Sequence, residues 1–429
     1  MNLDNPVTVP VENRYHRFFT VLFYGVCALV GVFIFFSPFP YTTAITNISF
    51  YLAIIMAVTL ILFKTFPVVV KTPLTYPLIL FFLWSCLSLI WALNFENTIH
   101  DLRGHLLNHL ILFFLLINFF NSRNRINLLA WIVVVCAVIF SVVSMVYYYV
   151  IMDNAVMGLR LGNVLTSGRH VWTELSVNSI GALTIPAMLF CFYFYRRVSA
   201  LSTRVFLIIG AAMIFIATIL TQSRGTATAL IIAGVVLLGI KNKKLLPLFL
   251  AGIILVVVFS PYKNRIDTFN FSERIKINYV YLQVVKDYPL GGIGFGMRTY
   301  EDNMDIKDYV NKVAEKYRPQ VPIIGPHSLF IDIMVRIGII GFAVFLLIIL
   351  VFLRMSWQVI RHARENTIRD LGIYIVIAFL SYCVVGLAEP LFWGAAPTII
   401  FYILLAMMTV LWFLNHDKTP QPADHDAAP

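Results

Sequence analysis

The sequence predicts an all-α protein that crosses a membrane many times, and three observations carry that prediction. Sixty per cent of the 429 residues are hydrophobic and 12% are charged, whereas soluble domains have about 25% charged residues. Apolar runs long enough to cross about 30 Å of hydrocarbon recur along the chain. Basic residues cluster in alternate connections between these runs. A bilayer must therefore be the solvent for most of the chain.

The apolar runs number about twelve, and each must form a helix because hydrocarbon offers no partners for free backbone groups. In chain order they cover residues 17–37, 44–63, 75–94, 105–121, 126–151, 177–195, 204–221, 226–240, 245–260, 328–353, 370–388 and 393–414. We expect a single integral membrane domain over residues 1–414. Residues 415–429 are polar and rich in proline, so we expect a disordered cytoplasmic tail there.

The distribution of lysine and arginine predicts the orientation, because cytoplasmic loops carry the excess of both. With the N-terminus inside, the inner segments hold more than half of the 32 basic residues, and the short outer loops are nearly bare of them. Both termini should therefore be cytoplasmic. Most other basic residues lie in two longer outer segments, 152–176 and 261–326. The net charge of +11 is thus mainly a topology signal, and we expect no nucleic-acid partner.

The outer segment 261–326, between the ninth and tenth helices, is too polar to span and too long for a simple connection, and such loops usually carry function. Within it, FSERIKINYVYLQVVKD predicts an amphipathic helix, with Ser272 as the N-cap. The GGIGFG that follows lacks the preceding strand of a nucleotide site. It is typical of a tight turn whose backbone amides face an anion. The predicted apolar face of the helix consists of Ile275, Tyr279, Leu282 and Val285.

Four charged residues at the predicted outer boundary are candidates for a binding site. Arg224, in TQSRGT, has no carboxylate near it in sequence, so it either binds an anionic ligand or simply extends to water from the boundary. Arg274 and Arg298, in the outer loop, extend the anion interpretation. Glu389, in GLAEPLFWGAAP, is either a helix-end carboxylate paired with an arginine or a part of the site.

The stretch GPHSLFIDIMVRIG places three more polar residues at the start of the tenth run. Asp332 and Arg336 lie four residues apart on one helix face and are predicted to pair. His327 stands before the helix and outside that pair, where a neutral histidine can accept a proton as a general base does. A structural histidine is the alternative. His105 and His109 also lie four residues apart, but without an evident third ligand we favour packed histidines over a metal site.

Taken in order, these segments resemble the bacterial O-antigen ligase family, which groups with O-antigen polymerases and protein O-oligosaccharyltransferases. The resemblance covers most of residues 150–400. Many members have Glu where this chain has Arg336, so we assign no role to that position. The matching segments are LTQSRGT with its Ser-Arg element, SERIKINYVYLQVVKDYPLGGIGFG with its loop helix and Pro-Leu-Gly turn, HSLFIDIMVRIGIIG with its His-Ser element, and LAEPLFWGAAP with its acidic residue and tryptophan.

The resemblance implies transfer of a glycan at the periplasmic face of the bacterial inner membrane, with 261–326 as a periplasmic loop. The donor would be a glycan on undecaprenyl diphosphate, and the acceptor a lipid A–core sugar hydroxyl, during lipopolysaccharide biosynthesis; membrane lipids are the other partners. Arg224 and Arg298, with Arg274, would bind the diphosphate. His327 would take the acceptor proton in an inverting displacement, and Glu389 would orient a partner. The diphosphate already activates the donor, so no metal or cofactor need be invoked.

Three alternatives stay open. An O-antigen polymerase would join the glycan to another lipid-linked repeat, and a protein O-oligosaccharyltransferase would use a Ser or Thr of a protein. TQSRG and the late AEP-W segment favour the ligase. A lipid or solute transporter would need charges at the membrane midplane, and only Asp332 and Arg336 favour it. An active site predicts that Arg224, Arg298 and His327 lie together in one outer pocket.

Overall fold

The computed structural model describes residues 11–64, 68–155, 160–162, 176–259, 268–321, 323 and 325–416. Within these residues the regular structure is helical and contains no β-strand. The helices are α1 (Val11–Phe36), α2 (Thr43–Leu62), α3 (Thr75–Leu87), α4 (Phe95–Asp101), α5 (Asn108–Phe119), α6 (Arg123–Met145), α7 (Ile180–Tyr195), α8 (Leu201–Leu220), α9 (Arg224–Lys241), α10 (Leu246–Phe259), α11 (Thr268–Asp287), α12 (Thr299–Asp302), α13 (Ile306–Lys312), α14 (Leu329–Arg361), α15 (Asn366–Gly386) and α16 (Ala395–His416).

The helices confirm the predicted class, an all-α polytopic membrane protein. In the described part of the chain, nine helical segments are long and apolar enough to cross a membrane. Two shorter apolar helices cover Thr75–Ile90 and Ile180–Tyr195, and α10 is apolar throughout. Each predicted run coincides with one of these helices. Twelve complete crossings stay a prediction, because the two shorter helices and α10 have fewer than the roughly 20 residues of a usual span. The nine segments are Arg17–Phe36, Thr43–Leu62, Phe95–Phe119, Arg123–Ile151, Leu201–Leu220, Arg224–Lys241, Leu329–Arg361, Asn366–Gly386 and Ala395–His416.

α16 is the central helix of the bundle and packs against α5, α7, α14 and α15. Its residues from Ala396 to Leu411 are all buried, which suits a helix that is apolar on every side. α16 extends to His416, two residues into the segment 415–429 that was predicted to be a tail. Residues 417–429 lie outside the described residues.

Ion pairs connect loops that the sequence assigns to the cytoplasmic side. Asp370, at the start of α15, pairs with Arg197, after α7, at 3.0 Å, and with Lys241, at the end of α9. Because Arg224 begins α9, it lies at the opposite end of the bundle. Loops predicted to share one side therefore meet at one end of the bundle. The candidate site residue Arg224 lies at the other.

α11 confirms a helix in the outer loop but corrects two details. It begins at Thr268, so Ser272 lies inside the helix and is not its N-cap. Ile275 and Tyr279, on the predicted apolar face, are each 41% exposed. α11 carries apolar residues on two faces, and spacing alone could not show which one packs on α14. The side chains of α11 that are buried instead are Ile277, Val280, Tyr281 and Val284.

α14 is broken after its second turn. Ile337 and Gly338 leave helical geometry, and Gly338 has a φ of +69°. A Cβ at position 338 would lie 2.0 Å from the carbonyl oxygen of Leu290. Glycine is therefore required at this position, both for its conformation and for the close approach of the loop.

The turn after α11 fills this break, so the backbone groups released by the break are hydrogen-bonded. Trp84 Nε1 donates to the carbonyl of Ile337 at 2.9 Å. Amides of the GGIGFG turn thus donate to protein carbonyls, and the expectation that they face an anion is wrong. In the turn, the N–H of Ile293 donates to the carbonyl of Val335 at 3.0 Å and the N–H of Gly294 to the carbonyl of Arg336 at 2.9 Å. In the other direction, the N–H of Ile339 in α14 donates to the carbonyl of Pro289 at 2.8 Å.

The predicted pair between Asp332 and Arg336 is confirmed, with an N–O distance of 3.2 Å and both side chains fully buried. Arg336 Nε also donates to the carbonyl of Phe295 at 2.8 Å, and the guanidinium lies over the Phe295 ring. Asp332 accepts hydrogen bonds from Tyr300 Oη and Trp393 Nε1, each at 2.9 Å. Both charges are therefore neutralised by structural contacts, and the feature that favoured a transporter has a structural explanation.

Candidate active site

A cavity of about 210 Å³ lies at the end of the bundle where α9 begins. Three of the five predicted site residues meet here: Arg224, Arg274 and His327. We call this the arginine cavity, after the three arginines in its lining. The lining residues are Arg160, Asn178, Gln222, Arg224, Glu273, Arg274, Ile277, Val321 and His327.

A tight turn positions Arg224 at the start of α9. Ser223 is the N-cap, and its hydroxyl accepts a hydrogen bond from the backbone N–H of Thr226 at 3.3 Å. Gln222, just before it, has a φ of +50°, a conformation that costs free energy for a residue other than glycine. The Ser-Arg element thus directs Arg224 and the positive N-terminal end of α9 to the same cavity.

α11 brings Arg274 to the cavity from the outer loop. Its Nη1 donates to the backbone carbonyl of Ala388 at 3.1 Å, which fixes the guanidinium. Burial lowers the pKa of Arg274, the Glu389 carboxylate opposes that effect, and the nearby charge of Arg224 adds to it. Arginine stays charged at any physiological pH, so two close cations give the cavity a positive potential.

The cavity contains one carboxylate, Glu273, which is already paired. Lys276 Nζ donates to it at 2.7 Å, and the backbone N–H of Gln320 donates to it at 2.5 Å. Burial raises the pKa of Glu273, but these hydrogen bonds outweigh burial and leave the pKa lowered. The described lining of the cavity therefore contains three arginines and a single carboxylate, which is already paired with Lys276.

Glu389 lies behind the described lining of the cavity. It is buried and accepts hydrogen bonds from Ser176 Oγ at 2.6 Å and Asn178 Nδ2 at 2.9 Å. The Asn178 amide oxygen in turn accepts from Arg160 Nη2 at 3.1 Å and from Ser223 Oγ at 3.0 Å. Asn178 therefore links Glu389 to one arginine of the cavity and to the N-cap beside another.

His327 lies at the start of α14, next to Arg274. Its backbone N–H donates to Asn278 Oδ1 at 3.0 Å, which ties the histidine segment to α11. Burial lowers the pKa of His327 to about 4, and the positive charge of Arg274 adds to this effect. The imidazole is therefore neutral at pH 7 and able to accept a proton.

Arg160 and Asn178 are the site residues that the sequence reasoning missed. Arg160 lies in the polar outer segment 152–176, whose length was its only signal, whereas Asn178 lies in the predicted apolar run 177–195 and had none. Residues 156–159 and 163–175 of the outer segment lie outside the described residues.

Arg298 lies at a second cavity of about 620 Å³, so the prediction of one pocket with Arg224, Arg298 and His327 is wrong for Arg298. The backbone N–H of Arg298 donates to Asn97 Oδ1 at 2.8 Å. This contact docks the turn on α4, which lies far away in sequence. We call this second site the carboxylate cavity, after Glu96, Asp101 and Asp302. Its lining is Asn94, Glu96, Asn97, His100, Asp101, His105, Met297, Arg298, Asp302 and Trp393, none of which lines the arginine cavity.

The two histidines after α4 differ in environment. His109 is buried, its Nδ1 lies 2.8 Å from the carbonyl oxygen of His105, and its ring stacks on Tyr402. His105 lines the carboxylate cavity. In the described part of the chain no group of three His, Cys, Asp or Glu side chains is arranged to hold a metal ion.

Comparison with known proteins identifies a family for part of the chain. Residues 208–346 match the family model described as O-antigen ligase. The matched segment contains Arg224, Arg274, Arg298 and His327, whereas Glu389 lies beyond it. No curated protein matches the chain.

Proposed function

We propose that this membrane protein, whose residues 208–346 match the O-antigen ligase family model, is an O-antigen ligase. It transfers a glycan from undecaprenyl diphosphate to a sugar hydroxyl of lipid A–core during lipopolysaccharide biosynthesis. The reaction takes place at the periplasmic face of the bacterial inner membrane. The family supports a glycan ligase or polymerase, and the choice of donor and acceptor is our proposal.

The observation that carries the proposal is the meeting of three arginines and a neutral histidine in the arginine cavity. The leaving group of the reaction is a lipid diphosphate, whose negative charge increases as the glycosyl bond breaks. Guanidinium groups bind phosphate oxygens through paired, charge-assisted hydrogen bonds. Cations held in place before the reaction stabilise such charge without reorganising.

The transfer step uses these residues as follows. The acceptor hydroxyl oxygen attacks the anomeric carbon and forms the new glycosidic bond. The bond from that carbon to the diphosphate oxygen breaks, and its electron pair stays on the diphosphate, which Arg224 and Arg274 stabilise. The hydroxyl proton moves to the unprotonated ring nitrogen of the neutral His327. A single displacement of this kind inverts the anomeric configuration.

Donor binding also strengthens the base. Burial and the charge of Arg274 lower the pKa of His327 to about 4, so it is a weak base. A bound diphosphate offsets the charge of Arg274 and adds negative charge near the imidazole, and both effects raise the pKa. Proton transfer to His327 is therefore favoured once the donor is in place.

An apolar groove beside α9 suits the polyprenyl chain of the donor. It has a volume of about 300 Å³ and lies between α7, α8, α9 and α10. From Arg224 the groove residues Leu230 and Leu237 lie about 9 and 20 Å along the helix axis. α9 thus carries a cation at its start and an apolar surface below it, which matches a lipid diphosphate.

The test is a transfer assay in a bacterial host that lacks its own ligase. Wild type and His327→Ala are expressed to equal levels, and His362→Ala, at the exposed far end of α14, is the matched control. Wild type and the control should attach polymer to lipid A–core. His327→Ala should lose about 10²- to 10⁴-fold of this activity, the usual contribution of a general base, and lipid-linked polymer should accumulate.

Two outcomes contradict the proposal in different ways. If wild type only lengthens lipid-linked repeats, the protein is a polymerase. Normal transfer by His327→Ala would show that the histidine has a structural role and that the proposed step is wrong.

A further inference from the structure

The carboxylate cavity has the opposite charge from the arginine cavity. Three carboxylates line it, those of Glu96, Asp101 and Asp302, together with one arginine, Arg298. A diphosphate is therefore repelled from it. Its volume of about 620 Å³ lies within the range of small-ligand sites, roughly 300–1,000 Å³.

The polar groups in this cavity suit a ligand with many hydroxyls. Carboxylates accept two hydrogen bonds or more, side-chain amides both donate and accept, and a guanidinium donates in a fixed plane. Asp101 is buried, and its carboxylate accepts from the backbone N–H of Met297 at 2.7 Å and lies 2.9 Å from His100 Nδ1. These contacts form part of the cavity wall before any ligand arrives.

Trp393 adds a fixed apolar surface to the cavity. Its Nε1 is bonded to Asp332, and its ring stacks on Tyr300 with centroids 5.7 Å apart and an angle of 11° between the planes. Sugar rings have apolar C–H faces, and a rigid indole provides matching apolar contact.

Trp393 also joins the cavity to the proposed base. A Cβ placed on Gly325 would lie 2.6 Å from the indole ring. Gly325 stands two residues before His327, and a larger side chain there would push the histidine segment away from the ring. A sugar held in the carboxylate cavity therefore lies across Trp393 from the segment that carries His327.

We propose that the carboxylate cavity binds the acceptor saccharide, with Glu96, Asp302 and Arg298 bonded to its hydroxyls and Trp393 supporting its ring. This inference rests on the proposed function, since it names the site of the acceptor in that reaction. It also gives Arg298 a role apart from the diphosphate. The reacting hydroxyl of the saccharide then has to extend past Trp393 to reach His327.

The first experiment measures the apparent KM of purified protein for each of the two substrates separately. Glu96→Ala/Asp302→Ala is compared with wild type and with Glu315→Ala, an exposed carboxylate of the same outer loop away from the cavity. The apparent KM for lipid A–core should rise at least about tenfold in the double variant, since hydrogen bonds to charged groups are worth that much or more. The apparent KM for the undecaprenyl-linked donor should not change.

The second experiment measures binding without turnover. Core oligosaccharide freed of its lipid is titrated against His327→Ala protein, with and without the Glu96 and Asp302 substitutions, by saturation-transfer NMR. Loss of the signal with these substitutions supports the acceptor site, even if wild type proves unable to transfer to lipid A–core and the proposed function fails.

The opposite results separate the two proposals. If transfer occurs but neither the acceptor KM nor oligosaccharide binding responds to the double variant, the acceptor site is overturned while the ligase stands. A rise in the donor KM alone would assign the cavity to the donor glycan and also overturn the inference.

Discussion

The arginine cavity and the carboxylate cavity lie near the same helix, α14, but have opposite charge. The first has three arginines and one paired carboxylate, and the second has three carboxylates and one arginine. The anionic donor that we propose would be attracted to the first cavity and repelled from the second, before any specific contact forms. The proposed roles of the two cavities therefore imply that charge keeps the donor out of the acceptor site.

The two cavities also differ in which parts of the chain form them. Arg224, Arg274 and His327 of the arginine cavity lie within the segment matched to the O-antigen ligase family. Most of the carboxylate cavity lies outside that segment, on α4 and at Trp393. The matched segment thus supplies three residues of the proposed donor side, whereas residues outside it form much of the proposed acceptor side.

The largest expected effect on activity comes from reversing the charge of one arginine in the arginine cavity. Arg224→Glu should lower kcat about 10³-fold or more, since losing one preorganised donor alone costs about 10²- to 10³-fold. Arg224→Lys should keep part of the activity, because the charge remains but the paired donors are lost. Steady-state rates with saturating donor test both. If Arg224→Glu retains donor binding and rate, the anion site is elsewhere.

A smaller effect is expected from Arg274→Gln, and it has a characteristic pH dependence. Burial lowers the pKa of His327 to about 4, and the positive charge of Arg274 adds to this effect. Neutral His327 is the active form, so kcat/KM for the donor rises with pH through this pKa. Without Arg274 the pKa rises towards its usual value near 6.5, and the acid limb of the profile should move to higher pH.

Lys286→Gln, which removes an exposed cation from the same helix, is the control for that shift. A pH profile of Arg274→Gln that coincides with wild type would show that His327 does not determine the acid limb.

The smallest effect is a contrast in salt dependence. Raising NaCl from about 0.05 M to about 0.5 M shortens the screening length to roughly a third. The donor KM should rise a few-fold, while the KM of a core-sugar fragment without phosphate or carboxylate groups should hardly change. Equal salt effects on both substrates would remove the proposed separation by charge.

Much of the fold could be predicted from the sequence, because hydrocarbon forces an apolar run of sufficient length to be a helix. The family resemblance assigned Arg224, Arg274, Arg298 and His327 to one site, and the structure brings all of them together except Arg298. The place of Arg298 could not be predicted, since it depends on how residues after α11 dock on α4. Only the folded chain shows this contact.

Two other features also could not be predicted from the sequence, because they depend on tertiary contacts. α11 has apolar residues on two faces, so its buried side depends on the packing partner. Arg160 enters the arginine cavity through a hydrogen bond from its Nε to the carbonyl of Thr221 at 3.0 Å, and no local pattern indicates such a bond.

The break in α14 has a consequence for how this protein could be recombined with its relatives. The turn at residues 289–294 supplies hydrogen bonds to α14, and Trp91 Nε1 donates to the carbonyl of Gly291 at 2.9 Å. Grafting this turn without Trp84, Trp91 and Gly338 would leave buried backbone groups unsatisfied. A viable chimera must therefore exchange these elements as one unit, even though they are distant in sequence.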